Sequence, residues 1–155
     1  MIIGHLPAGY LAATGLNRLL PARALFLGLV LGSILPDLDI LWFYLVDAKS
    51  THHHDYLLHR PILWLGVLSL GLILKRRFLT GVGLGSLLHM VLDTTLGQIA
   101  WGWPLTDSYT TFITIASTHD HWLLSFMAHW TFKIELALAA AAAIVFWRRN
   151  RKPLP

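Results

Sequence analysis

The chain contains no cysteine, and only 13% of its 155 residues are charged. The absence of cysteine excludes disulfides, iron–sulfur clusters, thiolate zinc sites and cysteine nucleophiles, so that a bound metal must use nitrogen or oxygen ligands. The hydrophobic set makes up 55% of the chain and the mean hydropathy is +0.60, which excludes a disordered chain and is too apolar for an ordinary soluble domain. This composition indicates a membrane protein with a single domain.

Five apolar stretches divide the sequence. Because a transmembrane helix needs about 20 apolar residues, we expect an all-α integral membrane bundle of four to five transmembrane helices in one membrane-embedded domain, residues 1–155. The approximate spans are 2–17, 24–46, 57–74, 78–100 and 122–147, followed by a basic C-terminal tail at 148–155. The first stretch is short, so the sequence leaves open whether it crosses the membrane. Pro36 is expected to break or kink the second helix near its outer end.

The basic residues predict the topology. Nine of the 12 Lys and Arg residues flank the apolar stretches in three groups. The groups are Arg18 and Arg23; Lys75, Arg76 and Arg77; and Arg148, Arg149, Arg151 and Lys152. If the stretches alternate in direction, all nine lie on one side, which the positive-inside rule assigns to the cytoplasm. We therefore expect a cytoplasmic C-terminus, and the net charge of +4 reflects topology rather than a nucleic-acid partner. Since no basic segment precedes the first apolar run, no cleaved signal peptide is expected.

Ionisable side chains near membrane spans are costly and therefore point to function. His89 and Asp93 are four residues apart on a predicted helix, so both project from one face, as two ligands of one cation require. The alternative is a simple hydrogen bond within the helix. Asp37 and Asp39 follow Pro36 closely, and two such carboxylates repel each other unless a cation lies between them. The alternative here is that Asp39 caps a following helix.

The segment 51–60 is the part of the sequence richest in histidine. A bend between His54 and His59 would bring both imidazoles to one centre. Arg60 is suited to bind a phosphate group, although its side chain could instead extend to the membrane interface. His5 near the outer end of the first stretch is, taken alone, an interfacial residue. The sequence does not assign roles to His119, His121, His129 and Glu135.

Several of these motifs occur in a fixed order along the chain. They are Gly4-His5, Leu35-Pro36-Asp37-Leu38-Asp39, His54 and His59 separated by four residues, Gly85-Ser86-Leu87-Leu88-His89 continuing to Asp93, and Trp103-Pro104. The set resembles a small bacterial family of inner-membrane, predicted metal-dependent hydrolases that includes a LexA-regulated member. The resemblance implies an inner-membrane location and metal-dependent hydrolysis. Asp55 after His54, Arg60 after His59 and Ile40 after Asp39 depart from the family pattern, which leaves the ligand number and the arginine position open.

The candidates together favour a metal-dependent hydrolase with its site at the outer face. The predicted metal ligands are His5, Asp37, Asp39, His54, His59, His89 and Asp93. This number exceeds what one catalytic zinc uses, so we expect two or more ions of zinc or manganese. Asp37 or Asp39 is the candidate general base, and Arg60 the candidate phosphate ligand.

The position of this site near the membrane surface favours a phosphoester or lipid-linked substrate, with membrane lipids as partners and no nucleic acid. The alternative is a metal-binding transporter or sensor without hydrolytic activity. A permeation path would spread polar residues across the bilayer, whereas here they cluster on one side. The sequence does not address the oligomeric state.

Overall fold

The computed structural model describes residues 3–48, 50–116 and 118–151, and this part of the chain is helical, with a single isolated β-bridge between Ile99 and Thr110. Seven α-helices lie within the described residues. They are α1 (His5–Leu19), α2 (Arg23–Gly32), α3 (Asp39–Leu45), α4 (Pro61–Ile73), α5 (Arg77–Thr94), α6 (Trp122–Ala128) and α7 (Trp130–Asn150). Three short 3-10 helices, Leu35–Leu38, His53–Asp55 and Leu57–His59, lie between α2 and α4.

The prediction of four to five transmembrane helices is wrong. Within the described ranges, only α7 is by itself long and apolar enough to cross a membrane, and just 17% of its apolar window is buried inside the protein. A second crossing exists if α2 and the segment Leu35–Leu45 together form one span bent by 47°.

The other apolar stretches form helices that are too short or too polar. α1 has 15 residues and α4 has 13, which at about 1.5 Å per residue falls short of a hydrocarbon layer about 30 Å thick. α5 has 18 residues, but His89, Asp93 and several glycines lower its hydropathy. Apolar content alone therefore overestimated the number of spans.

The predicted break at Pro36 is confirmed. α2 ends at Gly32, and Pro36 lies in the 3-10 helix Leu35–Leu38, after which α3 begins at Asp39. Proline lacks the backbone N–H that a continuous α-helix would need at this position. The break places Asp37 and Asp39 at the turn rather than along a helix face.

α2 and α5 run in the same direction and touch through their backbones. Along this contact, a Cβ atom added to Gly28 would collide with the backbone oxygen of Phe78, and one added to Gly85 would collide with that of Leu29. Small residues permit such close packing of helices. α5 is thereby held against α2 over most of the length of α2.

The remaining contacts show the direction in which each helix runs, and they define two ends of the bundle. Gly9 meets Ser33, which makes α1 antiparallel to α2, and Gly83 meets Leu68, which makes α4 antiparallel to α5. Arg149 near the end of α7 donates a hydrogen bond to Thr14 of α1, so these helices are parallel. One end, which we call the site end, therefore contains the start of α1 and the end of α5. The other, the basic end, contains the described members of the three basic groups.

A small core and an apolar exterior complete the bundle. Trp64, Val82, Met90 and Ile99 form the buried hydrophobic cluster. Large apolar side chains remain exposed, including Leu72 and Ile73 on α4 and Ile144, Phe146 and Trp147 on α7. Exposed apolar surface of this extent is typical of proteins that contact a membrane or a partner.

The contact between α2 and α5 predicts that Gly28→Ala destabilises the fold. The added methyl group must displace backbone atoms of α5, and we expect the free energy of unfolding to fall by about 1–3 kcal/mol. Gly66→Ala in α4 is the matched control, because nothing lies within 4 Å of the position that a Cβ atom would take there. Alanine at this position should leave stability unchanged or raise it by up to about 1 kcal/mol. Unfolding midpoints of both variants in detergent check the prediction, which fails if the two variants behave alike.

Candidate metal centre

The carboxylate of Asp93 lies among four imidazoles at the site end. Its Oδ1 atom is 2.9 Å from His5 Nε2, and its Oδ2 atom is 3.0 Å from His89 Nε2. The Nε2 atoms of His59 and His54 are 3.5 and 3.6 Å from Oδ2. Asp93 and the four imidazoles are buried. Asp93 is therefore the point at which four separate parts of the chain meet.

The local structure of each segment explains this convergence. His89 and Asp93 lie one turn apart on α5, so they share a face. His5 is the first residue of α1, whereas His54 and His59 lie in the two 3-10 helices that precede α4. The tight turns of these short helices direct both imidazoles inward.

His89 is held in one orientation by the end of α2. Its Nδ1 atom is 2.9 Å from the carbonyl oxygen of Ser33. A carbonyl oxygen can only accept, so Nδ1 carries the proton and donates this hydrogen bond. In the neutral ring, the lone pair of Nε2 then faces the Asp93 carboxylate, and this arrangement is repulsive unless a cation lies between them. Metal-ligating histidines typically have this arrangement, with the second nitrogen bonded to a carbonyl or carboxylate.

His59 is oriented by Asp39. The Nδ1 atom of His59 lies 2.7 Å from Asp39 Oδ2, and both side chains are buried. Although α3 begins at Asp39, this helix has no side-chain cap at its start. The carboxylate is used by His59, so the capping interpretation of Asp39 does not apply.

The charge states of the two loop histidines differ because their surroundings differ. Burial by itself would lower the pKa of His59, but hydrogen bonds and charge interactions with Asp39 and Asp93 outweigh it and raise the pKa to about 9. Burial lowers the pKa of His54 to about 2, since only Asp93 opposes it. His54 is therefore neutral at physiological pH and has a lone pair available.

Asp37 lies at the more open side of the cluster. Its Oδ2 atom is 3.5 Å from His5 Nδ1, and its Oδ1 atom is 3.6 Å from His89 Nε2. The rings of these two histidines stack with their centroids 3.7 Å apart. The Asp37 side chain is 32% exposed, compared with 2% for Asp93. Asp37 is thus a carboxylate of the cluster that solvent can reach.

Six buried side-chain atoms in the described part of the chain make no well-formed hydrogen bond, and all six belong to predicted metal ligands. They are His5 Nδ1 and Nε2, Asp39 Oδ1, His54 Nδ1, His59 Nε2 and His89 Nε2. Three of them, the Nε2 atoms of His5, His59 and His89, nevertheless lie within 3.5 Å of an Asp93 oxygen. Leaving a buried polar atom unpaired costs about 1–3 kcal/mol. A concentration of such atoms in one cluster is compatible with a metal site.

Three sets of side chains have ligand atoms close enough to hold a metal ion. The sets are His5, Asp37 and His89; His59, His89 and Asp93; and His53, His54 and His59. Within each set the ligand atoms lie within 4.8 Å of one another. His89 belongs to the first two sets and His59 to the last two, so the sets form one continuous cluster. Imidazole and carboxylate donors fit zinc or manganese.

The seven ligands predicted from the sequence all lie in or beside this cluster. Six belong to the three sets, whereas Asp39 contacts the cluster through His59. Their role as metal ligands remains a prediction. Sequence reasoning missed His53, because a run of three histidines does not show which imidazoles face inward. The 3-10 helix His53–Asp55 turns His53 and His54 inward and leaves His52 exposed.

Asp47 anchors the loop that carries these histidines. Its carboxylate accepts hydrogen bonds from the hydroxyls of Ser50, Thr51 and Tyr56. These bonds hold the pKa of Asp47 well below its usual range. Asp47 therefore joins Thr51 and Tyr56, residues on either side of the histidine run.

Arg60 packs beside the cluster rather than extending to the interface. One of its terminal nitrogens donates to the carbonyl of Asp55 at 2.7 Å, and the side chain is 12% exposed. Its guanidinium lies 5.6 Å from the ring centre of Trp103 and 6.0 Å from that of Tyr109. Tyr109 in turn donates to a carboxylate oxygen of Asp55 at 2.5 Å. The loop after α5 thus covers the arginine that follows His59.

The polar residues without an assigned role mostly fix helix ends. Glu135 of α7 is fully buried, and its Oε2 atom accepts bonds from the backbone N–H groups of Ile3 at 2.7 Å and Gly4 at 3.0 Å. It thereby fixes the start of α1, where His5 lies. His121 and His129 accept backbone bonds at the starts of α6 and α7. His119 is exposed and contacts the hydroxyl of Thr118.

Comparison with known proteins gives a family. The family model described as YdjM inner membrane protein matches residues 1–152. This is the LexA-regulated inner-membrane family that the motifs resemble, and the match does not show hydrolytic activity. The chain matches no curated protein and no solved structure.

Proposed function

This chain belongs to the YdjM inner membrane protein family, and on that premise we propose that it is a membrane-bound metal-dependent hydrolase acting on a phosphoester or lipid-linked substrate. The convergence of four imidazoles within 3.6 Å of the buried Asp93 carboxylate carries the proposal, together with the buried atoms there that make no well-formed hydrogen bond. A divalent cation bound there would be coordinated by the carboxylates and by those imidazole nitrogens that carry a lone pair, which would offset the cost of burying these groups.

Some groups of the cluster would hold a cation, and others orient the imidazoles that would bind it. Two overlapping ligand sets share His89; they are His5, Asp37 and His89, and His59, His89 and Asp93. Because the Nε2 lone pair of His89 binds one ion only, a second ion would use the remaining ligands. Asp39 and the Ser33 carbonyl fix the rings of His59 and His89 from behind. Ions bound there would make a water molecule more acidic and stabilise negative charge on a phosphoryl group.

Two further side chains serve the reaction. Asp37 is partly open to solvent and stands beside two imidazoles, so it accepts the proton of the attacking water as general base. As the water oxygen bonds to phosphorus, the bond to the leaving oxygen breaks, and Asp37 passes the proton that it has accepted to that oxygen. Arg60 binds a non-bridging phosphate oxygen, since most of its five N–H donors remain available beyond its bond to Asp55.

A transporter or sensor that binds metal without hydrolysis is less consistent with the arrangement. Transport requires binding groups at successive depths of the membrane. The histidines and carboxylates of the cluster instead meet at the site end, and α2 and α5 touch through their backbones farther along the bundle. Hydrolysis at one membrane surface accounts for this distribution.

The basic end gives an orientation for α7. This helix runs from Glu135 near the site end to Arg148, Arg149 and Arg151 at the basic end. By the positive-inside rule we expect the C-terminus in the cytoplasm and the cluster at the outer face. Leu136, Ile144 and Phe146 on its exposed side would contact lipid.

Metal content is the first prediction of this proposal. Detergent-purified protein without a histidine tag should contain two or more equivalents of zinc or manganese by elemental analysis. His89→Ala should lose them, because His89 belongs to two of the three ligand sets. His119→Ala, which removes an exposed histidine, should retain them. Metal-free wild-type protein after reconstitution with both metals would contradict the proposal.

The second prediction of this proposal is that the metal-loaded protein hydrolyses a phosphodiester. Metal-loaded wild-type protein should cleave a model phosphodiester, and Asp93→Ala should reduce turnover by at least about 100-fold, the scale of a lost catalytic group. The unfolding midpoint of each variant should be measured as well, because it shows whether activity is lost with the site alone or with the whole fold. Full activity in Asp93→Ala would remove this residue from the reaction, and inactivity of metal-loaded wild type towards phosphoester and lipid substrates would exclude hydrolysis.

The proposed orientation of α7 predicts how a reporter fused to the C-terminus behaves. A fusion after residue 155 should be active for a cytoplasmic reporter and inactive for one that folds only outside the cytoplasm. Replacing Arg148, Arg149 and Arg151 together by glutamine should weaken this preference, because these charges retain the helix end on the inner side. An outward signal from the wild-type fusion would overturn the orientation.

A further inference from the structure

A second polar region lies at the basic end, away from the metal cluster. The turn between α1 and α2 and the last turns of α7 line an open cavity of about 560 Å³. Its lining residues are Asn17, Pro21, Ala22, Arg23, Phe26, Leu27 and Arg149. This lining contains two arginines and no carboxylate. Neither the family description nor the proposed reaction uses it.

Arg149 is fixed in the wall of the cavity. Its Nη1 atom donates to Thr14 Oγ1 at 3.1 Å, and its guanidinium lies 5.4 Å from the ring centre of Phe26. The hydroxyl and the aromatic ring orient the side chain without neutralising its charge. Since a guanidinium has five N–H donors and Thr14 takes one, the others are available to an anion.

Arg23 supplies the second charge from the start of α2. Asn17 accepts a hydrogen bond from the backbone N–H of Ala22 at 3.0 Å, which fixes the turn that carries this arginine. The positive end of the α2 dipole lies at the same place and adds to the attraction for an anion. Arginine pairs are well suited to phosphate oxygens.

The apolar part of the lining distinguishes between phosphate-bearing ligands. Pro21, Phe26 and Leu27 form the remainder of the wall, and Leu19 and Leu20 beside the turn are 80% and 59% exposed. A free phosphate ion gains nothing from such surface. The headgroup of a phospholipid, with its glycerol and acyl chains continuing onto apolar side chains, matches both parts. Basic pockets between helices at the cytoplasmic side bind anionic headgroups for this reason.

We propose that the cavity lined by Arg23 and Arg149 binds the phosphate headgroup of an anionic phospholipid. The site holds the end of α7 against the α1–α2 turn through the lipid phosphate. It is independent of the metal cluster and of hydrolysis, because it lies at the opposite end of the bundle and shares no residue with it.

Native mass spectrometry of the full chain in detergent tests this site. Phosphatidylglycerol should bind as one tight equivalent, whereas phosphatidylcholine should bind more weakly. Arg149→Gln and Arg23→Gln should each weaken phosphatidylglycerol binding about fivefold, the scale of one cationic side chain near an anionic headgroup. Arg77→Gln removes an exposed charge at the same end but outside the lining, and it should leave the affinity unchanged.

Three outcomes would overturn the proposal. The first is equal affinity for the two lipids, and the second is an equal loss in Arg77→Gln, which would mean general attraction to charge. The third is displacement of the lipid by inorganic phosphate at equal concentration, which would show that the site holds the free ion. Metal content should match wild type in every variant, and the unfolding midpoints of Arg23→Gln and Arg77→Gln should match it as well. If Arg149→Gln fails to fold, Arg23→Gln still decides, since the Arg23 side chain is exposed.

Discussion

The burial of one carboxylate determines the arrangement of the site end. Removing the charge of Asp93 from water costs several kcal/mol unless positive or donor groups surround it. Four imidazoles approach it within 3.6 Å, and they come from α1, α5 and the two 3-10 helices before α4. The start of α1, the histidine loop and the end of α5 must therefore be assembled together for any of them to be stable.

The two ends of the bundle are separated by an apolar contact rather than by a polar channel. Glycines let α2 and α5 touch along their backbones, with Ser86 donating to the carbonyl of Gly32 at 3.0 Å. This contact leaves little freedom for α5 to slide along α2. The positions of His89 and Asp93 relative to Ser33 are consequently set by packing some distance from the ions they would bind.

The sequence predicted local geometry around the cluster better than it predicted the membrane crossings. The spacing of His89 and Asp93 and the position of Pro36 are local features, and their consequences follow from helix geometry and from proline's missing donor. The number of spans depends on where helices end, which apolar content does not determine. The inward direction of His53 and the use of Asp39 by His59 depend on turns that only the folded loop defines.

The break after α2 has a second consequence for the chemistry of His89. In an uninterrupted helix, the carbonyl of Ser33 would accept the N–H of the residue four positions later, whereas here the N–H of Asp37 bonds to Ile34 instead. The carbonyl is thus left free to accept a hydrogen bond from His89 Nδ1. The same proline that interrupts the second apolar stretch selects the tautomer of an imidazole on another helix.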